Sequence, residues 1–209
     1  MDFFYDSGDE DSDDPLQTAL RSIPDKLLPF REHAPSRLRM QQADGPFSAE
    51  YARTRHGFFS ALVWRGVTFG TAFANDHTNS AVFTSLEDWK ESVDACGPQE
   101  ESYFCDRSAY GMCNPHRTPA LVNKYWEATE EHNWEQFVER RIVPFTECYK
   151  WLTAGKPTHF YQLGGLAAYL LTCDYVYAGV VARPTISDGC HRAKHKSRCS
   201  ERLREVGFD

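Results

Sequence analysis

The 209-residue chain is long enough for one domain with its own core, and its composition (41% hydrophobic, with 14 Phe, 10 Tyr and 5 Trp) excludes global disorder. The formal net charge is −7, and all of it comes from seven acids with no base among them: Asp2, Asp6, Asp9, Glu10, Asp11, Asp13 and Asp14. The remaining 23 Asp and Glu equal the 23 Lys and Arg in number, so the rest of the chain gives no general reason to expect a polyanionic partner.

The N-terminal segment, MDFFYDSGDE, lacks the features of a targeting signal. It has neither the basic region nor the continuous apolar region of a secretory signal, and its acidity does not fit a mitochondrial presequence. Seven cysteines, an odd number, in a chain without such a signal indicate reduced thiols instead of a disulfide framework. We therefore expect a cytoplasmic or nuclear protein.

The predicted organisation is a disordered acidic tail (residues 1–14) followed by one mainly α-helical domain over residues 15–209. Asp14-Pro15 is a typical N-cap and N1 pair for a short first helix. Periodicity is mixed between residues 48 and 75, where dense apolar residues fit a helix but Val67 and Phe69 alternate as in a strand. We expect a helix there, followed by a short β-hairpin near residues 61–73.

The first clear helix follows Thr84 and Ser85, whose side chains suit N-capping, and it ends at Gly97-Pro98. Residues 97–117 contain Gly, Pro, Asn and Ser together with two cysteines. They are predicted to form a long loop, of the kind that is usually functional or mobile.

Two helices in sequence are predicted between residues 118 and 144. Thr118-Pro119 begins the first, and Asn133 caps the second, whose apolar stripe extends to Ile142. Pro144 kinks or ends that helix, and residues 145–152 continue as another turn or two.

The most apolar segment is residues 160–182, which we expect to form a buried central helix capped by Thr158 and stopped by Gly179. A membrane span is the alternative. Asp174 argues against a membrane partner, because an acid near a bilayer centre costs about 3 kcal/mol. Tyrosines spread through the segment instead of collecting at its ends argue against it too.

Asp174 is the buried polar candidate of the sequence, because an acid in such a segment must be paired, protonated or facing a cavity. One interpretation is a structural role, either in a core salt bridge to an arginine such as Arg140 or Arg141 or at the exposed edge of the helix. The other is an enzyme site that combines Asp174 with His159 and the 97–117 loop.

The C-terminal segment is predicted to form a basic helix over about residues 187–206. It contains four side chains of the types that bind zinc: Cys190, His191, His195 and Cys199. On a helix only two neighbours reach one ion, so a zinc cofactor needs further donors from the loop, where Cys105, Cys113 and His116 are available. The alternative is a solvated helix that happens to hold these residues.

The same segment is a candidate for contact with phosphate or nucleic acid through four bases: Arg192, Lys194, Lys196 and Arg198. The acidic tail is an equally suitable intramolecular partner for these bases, which would make the two ends of the chain an autoinhibitory pair.

The sequence contains no P-loop, GxGxxG, GxSxG or HExxH motif. We therefore expect a non-enzymatic helical interaction or regulatory module with protein partners. The alternatives are a small enzyme around Asp174 and a zinc-stabilised, nucleic-acid-associated regulator.

Overall fold

The computed structural model describes residues 35–155 and 158–184, and over these ranges the regular structure consists of nine α-helices without a β-strand. The helices are α1 (Pro35–Met40), α2 (Arg55–Gly66), α3 (Ala72–Asp76), α4 (Leu86–Asp94), α5 (Glu101–Phe104), α6 (Leu121–Glu131), α7 (Trp134–Val138), α8 (Phe145–Leu152) and α9 (Gly165–Tyr177). The prediction of a mainly helical fold is confirmed for this part of the chain. The acidic tail, the helix predicted at Asp14-Pro15 and the helix predicted over residues 187–206 lie outside the described residues.

Helix α2 lies at the centre of the fold. The Thr54 side chain caps it by accepting a hydrogen bond from the Gly57 N–H at 3.0 Å, and every residue from Gly57 to Gly66 is buried. It packs against α6, α7 and α9. A helix that is apolar on nearly all faces requires such a position, because each face needs a neighbour to exclude water.

Aromatic side chains fill the space between α2, α7 and α9. The Phe58 ring stacks on Trp134 at a centroid distance of 4.5 Å and meets Phe160 edge-on at 5.2 Å. Trp134 in turn lies 4.4 Å from the Tyr175 ring. Ring pairs of this kind contribute about 0.5–1.5 kcal/mol each beyond their burial, so they are a major part of the core.

The β-hairpin predicted near residues 61–73 is wrong. Residues 61–66 are the second half of α2, and the N–H groups of Val67 and Thr68 both bond to the Val63 carbonyl, which closes the helix end. Gly70, with φ 76°, then turns the chain, and Thr71 caps α3. The alternation of Val67 and Phe69 covers only three residues, too short a run to specify a strand.

Local capping signals mark several helix ends correctly. The Ser85 side chain accepts from the Asp88 N–H at 3.1 Å, and Asn133 accepts from the Gln136 N–H at 3.0 Å. Both residues are the predicted N-caps, of α4 and α7. These predictions depend only on residues three positions apart, which is why the sequence suffices.

Helix α7 is shorter than its apolar stripe predicts. It ends at Val138, Glu139 follows with φ 42°, and Ile142 is 64% exposed instead of packed. The Arg53 guanidinium donates to the carbonyls of Glu139 and Arg141 at 3.0 and 2.9 Å. A distant cation therefore stabilises the carbonyls beyond this helix end, which favours termination.

Helix α9 begins later than predicted. Its N-cap is Gly164, not Thr158, because residues 158–164 form turns in which Gln162 has φ 61°. Gly179, with φ 71°, follows its last turn as expected. Among the described residues, no helix has both the length and the apolarity required to cross a membrane.

Gly57→Ala is expected to destabilise the fold. A Cβ at this position would overlap the Tyr51 carbonyl oxygen, a backbone atom that cannot swing aside. We expect the free energy of unfolding to fall by about 1–3 kcal/mol in chemical denaturation, although Ala favours helix by about 1 kcal/mol over Gly. Gly164→Ala is the control, because its Cβ would enter open space; we expect a loss below about 1 kcal/mol. Equal stabilities of the two variants would contradict the steric argument.

Candidate functional site

Three buried charged side chains meet at Asp174 on α9. The Asp174 side chain is 0% exposed and accepts two hydrogen bonds from Arg65 on α2, from Nε to Oδ2 at 2.6 Å and from Nη2 to Oδ1 at 2.8 Å. Arg37 on α1 adds a second guanidinium, with Nη2 3.2 Å from Oδ1. This ion cluster therefore joins α1, α2 and α9 through one carboxylate.

The geometry of the ion cluster suits a structural ion pair better than a reacting acid. Both carboxylate oxygens are engaged, and the carboxylate has no surface exposed to solvent. Burial is the largest single influence and lowers the pKa of Arg65, but the charge and hydrogen bonds of Asp174, together with Tyr110, raise the pKa by more in sum, so the guanidinium remains a cation. His159, which the enzyme hypothesis places beside Asp174, instead stacks on His132.

Arg140 and Arg141, the arginines expected to pair with Asp174, are the wrong partners. Arg141 lies at the surface with Nη2 2.6 Å from Glu147 Oε1, and Arg140 is exposed. The correct partner, Arg65, is 109 residues away in sequence. It had a recognisable signal, because it interrupts the apolar run ALVWRGV in the same way that Asp174 interrupts its own segment.

The 97–117 segment includes α5 and is anchored to the end of α2. Buried Arg117 donates from Nε to the Gly66 carbonyl at 2.8 Å and from Nη2 to the Arg65 carbonyl at 3.2 Å. The Tyr110 hydroxyl also donates to the Arg65 carbonyl, at 2.8 Å. Because the last carbonyls of a helix lack internal partners and carry partial negative charge, these donors cap α2.

The four zinc candidates and the four phosphate-contact candidates of residues 190–199 lie outside the described residues and stay predictions. The three loop donors proposed for zinc lie within the described residues. Cys105 is buried, and burial raises the pKa of its thiol to about 11, whereas Cys113 and His116 are exposed. Within residues 35–155 and 158–184, no group of three or more His, Cys, Asp or Glu side chains is arranged to hold a metal ion.

His132 and His159 form a stacked pair that the sequence did not reveal. Their ring centroids lie 3.8 Å apart with an interplanar angle of 19°, and the His132 ring also meets Phe160 edge-on at 5.8 Å. Burial, followed by the effect of His159, lowers the pKa of His132 despite the opposing charge of Glu131. The stacked arrangement therefore favours the neutral form of His132.

Helix α9 carries apolar residues on two opposite faces. One face is buried against α2 and α8. The other face, here called the outward stripe, consists of Leu166, Leu170, Cys173 and Tyr177, at helical spacings i, i+4, i+7 and i+11. Leu166 is 42% exposed, Tyr177 is 59% exposed, and the two residues between them are half-buried.

A cleft of about 570 Å³ adjoins the C-terminal half of the outward stripe. Its described lining residues are Cys173, Val176, Tyr177, Arg183 and Pro184, which combine apolar surface with one exposed guanidinium. Behind Tyr177 lies Arg37, whose guanidinium carbon is 4.5 Å from the centroid of that ring. The apolar face therefore ends beside two arginines.

Comparison of this chain with protein-family models, with curated proteins and with solved structures finds no match.

Asp174→Ala should be strongly destabilising, because it leaves the buried guanidiniums of Arg65 and Arg37 without their carboxylate. We expect the free energy of unfolding to fall by about 3–5 kcal/mol in chemical denaturation. Glu147→Gln, which breaks the surface pair with Arg141, is the matched control and should cost less than about 1 kcal/mol. A small loss for Asp174→Ala would show that the ion cluster does not support the fold.

His132 is expected to make stability depend on pH. Its pKa is lower in the folded chain than the ordinary value of 6.5, so the unfolded chain binds more protons as the pH falls through that value, and folding is weakened. His132→Gln should reduce the loss of unfolding free energy between about pH 7.5 and about pH 5.5.

His132→Gln should reduce this loss only in part, because burial also lowers the pKa of His77. His77 therefore contributes a further loss of unfolding free energy in the same pH range. The control is His116→Gln, at an exposed position, which should leave the pH dependence of the parent chain unchanged. Identical pH profiles for the parent and His132→Gln would refute this role for the stacked pair.

Proposed function

We propose that this chain is a non-enzymatic interaction module that binds an amphipathic helix of another protein on the outward stripe of α9. The observation that carries the proposal is the pattern of α9 itself. A helix that is apolar on opposite faces is expected to have neighbours on both, and the described residues bury only one face completely. Apolar residues aligned on the other face are typical of a protein contact site.

The size and spacing of the outward stripe support a helical partner. Its residues span about three turns, and the i, i+4, i+7, i+11 spacing is the one that a second helix matches when its own apolar residues interdigitate. Burying a large apolar side chain contributes about 1.5–3 kcal/mol, so the leucines and the tyrosine of the stripe offer enough apolar surface to anchor a partner.

The ion cluster supports the same function by making the face rigid. Asp174 lies on the buried side of α9 and is joined to α2 through Arg65, so the helix is held in one rotational setting. A face that is already ordered loses little conformational entropy on binding, which favours affinity. The asymmetric cleft with Arg183 at one end gives a partner one preferred direction along the helix.

A photo-crosslinking amino acid tests this proposal when it replaces Leu170, at the middle of the outward stripe, in the full chain. In an extract of the source cells, we expect it to capture a discrete protein. The purified captured protein should then bind the unmodified chain, and Val176→Glu should weaken that binding at least about 10-fold, because it places a charge beside the stripe.

Glu130, which is exposed on α6, is the matched control position for the crosslinking residue. Glu130→Gln is the matched control for Val176→Glu, because it changes one surface charge away from the stripe. The proposal fails if Leu170 and Glu130 capture the same proteins, or if Val176→Glu binds as tightly as the parent chain.

A further inference from the structure

The acidic tail and the outward stripe have complementary chemistry. The tail combines its seven acids with three aromatic residues, Phe3, Phe4 and Tyr5, and contains no Lys or Arg. The stripe is uncharged and apolar, and it ends beside Arg37 and Arg183. A peptide that is both aromatic and acidic is the ligand such a surface selects.

One buried and one exposed arginine give this end of α9 a positive charge. Arg37 is 5% exposed, its Nε has no hydrogen-bond acceptor, and it shares Asp174 with Arg65, so two buried guanidiniums face one carboxylate. Arg183 lines the adjoining cleft, and none of the described lining residues of that cleft is an acid. One positive charge of the ion cluster and that of Arg183 therefore favour an acidic ligand.

The first and last of the described residues lie close to this place. Arg37, near the start of the described residues, stacks on Tyr177, and Arg183 and Pro184, at their other end, line the same cleft. Residues 15–34 separate the acidic tail from Pro35, and an extended chain covers up to about 3.3 Å per residue. Helix α9, with 13 residues, is about 20 Å long, so the intervening residues are numerous enough to let the tail reach any part of the stripe.

We infer that the acidic tail docks on the outward stripe of its own chain and competes there with the partner helix. This inference rests on the proposed function, since it assigns an intramolecular competitor to the same surface. The aromatic residues of the tail cover Leu170 and Cys173, and its carboxylates approach Arg183 and the Arg37 end of the ion cluster. The basic run of residues 190–204 attracts the same acids, but Ala193 and Leu203 are its only aliphatic residues, so it offers little surface to Phe3, Phe4 and Tyr5.

Alkylation of cysteines in the full chain, resolved by mass spectrometry, measures this docking. Cys173 is half-buried within the stripe, and Cys113 is exposed on the 97–117 segment as an internal control. One variant changes the seven tail acids to their amides, and the other changes Phe3, Phe4 and Tyr5 to Ser. If the tail is docked about four-fifths of the time, either variant should speed Cys173 alkylation about fivefold and leave Cys113 unchanged.

A photo-crosslinking residue in place of Phe4 gives an independent readout. We expect crosslinks within one chain to residues 166–177, with a yield that does not depend on protein concentration. Crosslinks to residues 190–204, crosslinks between two copies, or unchanged Cys173 alkylation in both variants would overturn the inference.

The failure of this inference is distinguishable from the failure of the proposed function. If the tail does not protect Cys173 but Val176→Glu still abolishes partner binding, only the docking of the tail is wrong. If the tail protects Cys173 and crosslinking at Leu170 captures no partner even in the two tail variants, the stripe serves the tail alone and the proposed function is wrong.

Discussion

The bidentate ion pair between Arg65 and Asp174 determines how the two most apolar helices of this chain meet. Helices α2 and α9 are apolar around most of their circumference, so hydrophobic contact alone tolerates several rotations of one helix against the other. A buried charge that misses its partner costs several kcal/mol, which removes those alternatives. Arg37 brings α1 to the same carboxylate, so the consecutive helices α1 and α2 are both joined to α9, whose Asp174 is 109 residues from Arg65.

The orientation of α9 follows from this pair, and with it the identity of the exposed face. With Asp174 held by Arg65, Leu171 and Tyr175 face the core, and the outward stripe lies on the side of the helix opposite these two residues. The end of α2 that carries Arg65 is itself held by Arg117 and Tyr110, which cap its last carbonyls. The buried charges therefore support the proposed binding surface from behind, although none of them belongs to it.

This arrangement also relates the uneven charge of the chain to one surface of the fold. The whole net charge resides in the acidic tail, while the described ends of the chain converge on a surface flanked by arginines. In the proposed scheme the aromatic residues of the tail and those of a partner use the same apolar stripe, so occupancy of one excludes the other. Such competition regulates binding without a conformational change in the core.

The sequence by itself determined the features that depend on neighbouring residues. Ser85 and Asn133 cap helices because a side chain meets an N–H three positions ahead, and Gly179 follows the end of α9 because glycine accepts a positive φ. Only the tertiary structure showed that residues 61–73 form no hairpin, that α9 starts late and that Arg65 is the partner of Asp174. The partner of Asp174 is the clearest case, because Arg65 is 109 residues away and local patterns cannot specify which of several arginines packing will bring to one buried carboxylate.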